Sequence, residues 1–405
     1  MVEYRPLGNE ADETFWRYGA YAFSPESGPV EFDPEPDELA RIRMGDRRGV
    51  FPEDAAEEEQ PRCVCVHYWF NALIRDEWHP APGLSAVASP PEYRRSGYAK
   101  QLLAHALQEY RTRDEQISLL WPFRHGFYQQ YGWATCSVHH RYTCEPEALA
   151  FARAEPNGPG RYRALEADNV EGVSAVYDTF IERYALSIGR DEQWWRQHIL
   201  STWESDPFVY VWERDGKPRG YLVYTMEGTE GDRTMEVVDM AFKAYEALLA
   251  LVAFCANHDS QVTEVRFTLP TDIRLLDLAP EPEKITCERK TGAMARIVDV
   301  ETTLAALEYP AIDAHLTLSV TDPLVEWNDR AFALAIESGE ATCQPISGNG
   351  VRDVSLDVGT LTQLVVGYRS AEELSRAGQL DASRKVVETL DRIWPPTQTY
   401  LGTVF

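Results

Sequence analysis

A chain of 405 residues exceeds what one hydrophobic core ordinarily holds, so roughly two to four domains are expected, with three as the working number. Sixty-five acidic residues against 39 basic ones give a formal net charge of −26, which argues against nucleic acid as a partner. Only six of the cations are lysines, and an acid-rich, lysine-poor chain is what a salt-loaded cytoplasm selects, as in haloarchaea. The longest apolar stretch, around Ala247 to Ala256, is far short of the ~20 residues a bilayer span needs, and no basic, apolar leader opens the chain; a soluble, cytoplasmic protein is expected. The seven cysteines lack paired spacing apart from Cys63-x-Cys65, whose alternation puts both thiols on one strand face as buried, reduced groups.

From Asp33 to Glu59 the chain is rich in Asp, Glu and Pro, with one helix over Leu39, Ile42 and Met44 followed by an acidic loop. Cys63 to Ile74 and Leu84 to Ala88 read as strands. Helical spacing of Tyr98, Leu102, Leu103, Ala106, Leu107 and Tyr110 follows, and then a short strand from Ile117 to Trp121. This order is a βαβ unit, which places a phosphate at a helix N-terminus. Pro156 to Gly160 marks a boundary, and helices follow near Val170 to Tyr184 and Glu192 to Trp203. The strands Phe208 to Trp212 and Tyr221 to Thr225 flank a tight turn at Asp215-Gly216. Met235 to Met240, Ala244 to Ala256 and Val265 to Leu269 repeat the strand-helix-strand order, but the turn Ala241-Phe242-Lys243-Ala244 has neither glycine nor arginine cluster. A third segment carries strands at Ala314 to Val320 and Val354 to Val358 and helices near Leu361 to Val366 and Ser383 to Asp391.

The chemistry concentrates between Leu84 and Ala99. Arg94-Arg95-Ser96-Gly97-Tyr98-Ala99 fits a pyrophosphate cradle, since Gly97 and Ala99 admit phosphate close to backbone N–H groups and the arginines add guanidinium charge. The strand before it can pair with a pantetheine arm. With Trp121-Pro122-Phe123-Arg124-His125-Gly126-Phe127-Tyr128-Gln129-Gln130-Tyr131-Gly132-Trp133 downstream, the stretch resembles the Eis-like branch of the GNAT acetyltransferases. Met294-Ala295-Arg296-Ile297-Val298-Asp299-Val300 and the terminal aromatic Phe405 extend the likeness over essentially the whole chain.

The resemblance implies an α/β (α+β) architecture of tandem GNAT acyl-CoA N-acyltransferase domains followed by a sterol-carrier-protein-like α+β domain, at residues 1–158, 159–292 and 293–405. It implies acetyl-CoA as donor, a primary amine as acceptor (aminoglycoside, polyamine or lysine side chain) and a hexamer. Cofactor contacts would come from Ala86, Val87, Ala88, Arg94, Arg95, Ser96, Gly97, Tyr98 and Ala99, with backbone N–H groups near Val87 and Ala88 facing the oxyanion. Tyr128 would be the general acid and the α-carboxylate of Phe405 the base. A phenol near ~10 is close enough to a thiol near ~8.5 for efficient proton transfer, whereas a carboxylate near ~3.5 needs burial or a relaying water to deprotonate an ammonium. His125 is the alternative base. The sequence holds no Walker loop, nucleophile elbow or His-x-x-x-His spacing, and no metal is expected. Competing readings are a non-catalytic acyl-CoA or lipid-binding protein and a transferase for longer acyl chains.

Overall fold

The apolar run that opens at Cys63 continues to Ile74 as an unbroken twelve-residue strand, β3 below, in the computed structural model of the chain. The structure describes residues 2–29, 31–56, 59–153, 160–165, 170–201, 206–229, 231–347, 350 and 352–405. Its contacts divide into two units: residues 1–136, 293–399 and 404–405 form the first, and 137–292 with 400–403 the second.

The first unit is built on strands β1 (Val2–Pro6), β2 (Asp46–Pro52), β3 (Cys63–Ile74), β4 (Glu77–Ala88) and β5 (Ile117–Leu120), with helices α1 (Asp12–Phe23), α2 (Pro36–Ile42), α3 (Tyr98–Thr112) and α4 (His125–Gln129). The sheet runs β1-β2-β3-β4-β5 and is completed by Met294–Ile297 and then Ala134–Thr135. Residues Cys63 to His67 are buried on both faces, as a central strand requires. On the α3 face, Cys63 and Cys65 pack with Leu102, Leu103, Ala106, Leu107 and Tyr110, so both thiols do share one face. Strand β2 lies where an acidic loop was expected. Its two arginines are neutralised from nearby helices, Arg47 by Asp12 at 2.6 Å and Arg48 by Glu109 at 2.6 Å, which lets a charged segment pair as a strand. The unit also holds a five-stranded sheet, ordered Glu340–Ile346, Arg330–Glu337, Ala314–Thr321, Val354–Asp357 and Leu380–Ala382, with helices Val300–Ala306, Val358–Val365, Ala371–Arg376 and Arg384–Ile393.

The second unit has a seven-stranded sheet ordered Ile285–Thr291, Val138–Cys144, Glu264–Pro270, Asp232–Phe242, Lys217–Thr229, Phe208–Arg214 and Arg161–Ala164. Asp215 and Gly216 both take positive φ, 52° and 71°, as the expected tight hairpin turn demands. The helix Tyr245–Ala256 is buried along nearly its whole length. Glu192–Trp194 is helical and continues as a π-helical turn, Trp195–Ile199; residues 202–203 of the expected helix lie outside the described residues.

The sheets divide the chain differently from the expected segments 1–158, 159–292 and 293–405. Val138–Cys144 lies in the second unit's sheet, and Met294–Ile297 lies in the first, between β5 and Ala134–Thr135. The boundary at 158 falls outside the described residues. Strand pairing is settled by non-local partners, so sequence adjacency alone misassigns such crossing strands.

Candidate active site

Strands β4 and β5 meet through one parallel rung, Gly83 to Leu119, and β4 then continues to Ala88 beside β3, parted from β5. Val66 faces Ser85, yet Val64 faces Ala88, so three steps along β4 match two along β3. This is a bulge, and Ala86 within it stands at φ 50°, a left-handed conformation that costs an alanine on the order of 1 kcal/mol or more. The bulge takes Ala86 and Val87 out of the regular ladder at the mouth of the fork, before Ala88 pairs with Val64 again. Backbone N–H groups there are available to an extended ligand entering beside β4 and to an oxyanion at its tip.

The loop from β4 to α3 turns through a short 3₁₀ segment, Pro91–Tyr93. Arg95 is left-handed at φ 60°, and Gly97 caps α3 at φ 83°. A Cβ at Gly97 would meet open space, so glycine is favoured there by backbone conformation rather than by crowding. The loop carries Arg94, Arg95, Ser96 and Gly97 to the surface, with Tyr98 and Ala99 half-buried behind them. Arg94 donates from Nε to the Ser89 carbonyl at 3.1 Å and lies 5.0 Å over the Tyr21 ring, which holds its guanidinium beside the helix start. The first N–H groups of α3 have no acceptor inside the helix, and together with the arginines they suit an anionic phosphate.

Tyr128, on α4, is 4 % exposed and packs edge-on to Phe127 at 5.0 Å and Phe123 at 5.6 Å. It belongs to the core on the α3 face, with Leu84, Cys63 and Trp133. Burial pushes its hydroxyl well above the ordinary tyrosine range, so the phenol is held protonated. His125 opens the same helix three residues earlier, and its Nε2 is buried without a hydrogen-bond partner among the described residues. His139 and His140 lie in the strand Val138–Cys144.

Phe405 packs on the other face of the same sheet. Its ring lies 5.1 Å from that of Phe70 and 6.3 Å from that of Tyr68, and a Cβ placed on Gly83 would come within 2.7 Å of it. Phe405 therefore covers the rung where β4 and β5 part. Gly83, Tyr68 and Phe70 are site residues that sequence reasoning missed. A glycine inside an apolar strand is itself a sign of close approach, and Gly83 offered that signal.

In the second unit the corresponding strand ends at Phe242 and its helix starts at Tyr245. Lys243 and Ala244 alone join them, with no positive φ between, so this turn has none of the conformational features of the first.

Comparisons with known proteins give three consecutive stretches, the second of which runs through the strand Met294–Ile297. The acetyltransferase (GNAT) domain family matches residues 3–136, a second acetyltransferase (GNAT) family matches 186–297, and the sterol carrier protein domain family matches 300–402. An uncharacterized N-acetyltransferase of Streptomyces griseus is 28 % identical over 368 residues, covering 84 % of this chain and 87 % of that one. The N-acetyltransferase Eis of Mycobacterium bovis is 24 % identical over 323 residues, 74 % of each. Among crystal structures, a GCN5-related N-acetyltransferase from Anabaena variabilis superposes with a TM-score of 0.85 over the full length of both chains at 22 % identity. Eis1 from Mycobacterium abscessus does so at 0.76 and 23 %. The architecture is thus two GNAT domains followed by a sterol-carrier-like domain.

Proposed function

We propose that this chain, a GNAT N-acetyltransferase of the Eis type, moves the acetyl group of acetyl-CoA to a primary amine, with Tyr128 as general acid and the Phe405 carboxylate as base. The observation that carries this reading is the fork between β4 and β5, which has Tyr128 packed on one face and Phe405 on the other. Acetyl-CoA, when bound, supplies an activated thioester. Arg94, Arg95 and the N–H groups of residues 95–99 would take its pyrophosphate, and β4 from Ala86 to Ala88 its amide arm. As the amine nitrogen bonds to the acetyl carbon and the carbon–sulfur bond breaks, the Phe405 carboxylate receives the amine's proton and Tyr128 gives its own to sulfur. Backbone N–H groups at the bulge face the charge that grows on the carbonyl oxygen. The near match of phenol and thiol expected from ordinary values does not hold in the free protein, because burial raises Tyr128. Tyr128 is best suited to donating a hydrogen bond that strengthens as the thiolate forms, completing the transfer late.

The test follows coenzyme A release at saturating acetyl-CoA with spermine, kanamycin or a blocked lysine as acceptor. Tyr128→Phe and deletion of Phe405 are each expected to lower kcat by about a hundredfold, in the range of lost acid or base assistance. Unchanged rates in both variants would sink the mechanism. The placement of His125, on the helix of Tyr128 with an unpartnered buried nitrogen, favours it as second choice of base. A full loss in His125→Gln with activity kept on removal of Phe405 would assign it that role. The acceptor is read as a small amine or a lysine side chain and the assembly as a hexamer, which light scattering checks. No described helix is long and apolar enough to cross a membrane, and a cytoplasmic setting is proposed. The relatives come from Streptomyces and Mycobacterium, so they give a haloarchaeal source no support, and the salt-loaded setting rests on composition.

A further inference from the structure

We propose that Arg190 and Thr403 form a clamp in the second unit that fixes the end of the chain, making both of them positioning residues for the base assigned to Phe405; the inference rests on that assignment. Residues 400–403 belong to the second unit by their contacts. The Tyr400 N–H donates to the Ala185 carbonyl at 2.9 Å, and Ser187 Oγ donates to the Tyr400 carbonyl at 2.9 Å. Three residues on, Thr403 is 1 % exposed, and its hydroxyl oxygen accepts from Arg190 Nε at 2.9 Å. The same hydroxyl lies 3.0 Å from the Tyr177 hydroxyl. Tyr177 spends its one proton on the Ile188 carbonyl at 2.8 Å, so between the two hydroxyls Thr403 is the donor. The buried Thr403 hydroxyl thus donates to Tyr177 and accepts from Arg190.

Arg190 is equally committed. Its Nη1 and Nη2 donate to the two oxygens of Asp239 at 2.7 and 3.1 Å, and Asp239 also accepts from the Tyr221 hydroxyl at 2.7 Å. The guanidinium stacks 3.8 Å from the Tyr177 ring and 4.8 Å from that of Trp195. With its outer nitrogens bound to Asp239, the remaining Nε points its hydrogen at Thr403. A buried guanidinium held this firmly is a fixed reference point, and the residue it grips lies near the far end of the sequence. Thr403 is two residues from the carboxylate, a reach of roughly 7 Å, so the freedom of the base is limited by how well Thr403 is held. A GNAT domain whose own turn lacks phosphate-binding features would in this way serve the reaction by holding the tail.

Thr403→Val keeps the shape and removes the hydroxyl's contacts to Arg190 and Tyr177; Thr403→Ser restores the hydroxyl. With the fastest acceptor among spermine, kanamycin and blocked lysine, the valine variant should lose about tenfold in kcat, as loosened positioning does, while KM for acetyl-CoA stays within about twofold. Serine should recover most of the loss. In a chain lacking Phe405, the valine change should cost nothing further, because the residue acts through the one removed. A penalty that persists in that background, a KM that rises in step with the loss, or a valine variant at full rate would each overturn the clamp. Full activity after deletion of Phe405 alone would instead overturn the terminal-base reading, and the clamp with it. If Thr403→Val fails to fold by circular dichroism, Arg190→Lys replaces it, since lysine keeps the charge for Asp239 and gives up the Nε donor.

Discussion

His67 illustrates how a buried polar side chain can be assigned a definite protonation state from its partners. Its Nε2 lies 2.7 Å from the Tyr4 hydroxyl and its Nδ1 2.5 Å from the Tyr110 hydroxyl. Tyr4 donates its own proton to Glu109 at 3.0 Å, so it must accept from Nε2–H, and Nδ1 must then accept from Tyr110. Every proton points toward Glu109, which Arg48 holds at 2.6 Å. A second proton on the ring would face the Tyr110 hydroxyl across a short contact, and burial, which dominates the nearby charges of Glu109, Arg48, Asp46 and Arg113, lowers the imidazole to about 4. The sign follows from this depression. Between about 6.5 and 4 the unfolded chain binds a proton that the folded chain refuses, so stability falls as pH drops through that window, by about 3 kcal/mol in all. Urea midpoints of the wild type should therefore decline from pH 7 to pH 4.5 more steeply than those of His67→Gln, whatever the variant's absolute stability. Parallel slopes would show that His67 does not carry this proton. At this scale the sequence singled out Tyr128 through the local motif that carries the resemblance, and its role stands as the proposal above. The sequence was silent on Phe405 against Gly83, whose contact depends on the route of the entire chain between them.

At the scale of elements, the two β-helix connections of the GNAT domains make opposite use of the same order. The first inserts a loop with left-handed Arg95 and Gly97 before α3, and the second passes from Phe242 to Tyr245 through two residues without a positive φ. This difference was legible, because glycine and arginine clusters at a helix start have a local cause. Strand partnership was less so. The exchange of Val138–Cys144 and Met294–Ile297 between expected segments, and the charged strand β2, depend on partners that no local pattern names. The hairpin of Arg330–Glu337 and Glu340–Ile346 also escaped notice; its alternation of Phe332, Leu334 and Ile336 with alanines is apolar on both faces, which blurs the period of two. Calorimetric titration with acetyl-CoA tests the contrast between the connections. One molecule should bind per chain, and Arg94→Ala with Arg95→Ala should weaken binding by at least about tenfold, since two exposed guanidinium contacts to phosphate are partly screened. Two equivalent sites, or an unchanged affinity in the double variant, would contradict the assignment of phosphate to this loop.

For the molecule as a whole, the net charge of −26 raises the question of what keeps the acidic surface from repelling itself open. Ion pairs offset part of it, but many are exposed, such as Arg384–Glu388 with side chains 93 % and 64 % accessible, and pairs of that kind contribute at most a fraction of a kcal/mol. Simple screening is the second source. It acts early, because the Debye length is already about 10 Å at 0.1 M salt and about 3 Å at 1 M, so self-repulsion should be largely removed by a few tenths molar. Adaptation to a salt-loaded cytoplasm makes a different prediction, namely that stability continues to rise well beyond that point. Urea midpoints measured in KCl from 0.1 to 3 M separate the two. A rise that continues above 1 M would support salt adaptation and recommend molar KCl for every assay described above. A curve that is flat beyond about 0.5 M would attribute the acid excess to screening alone, and the source of the lysine-poor composition would have to be sought elsewhere.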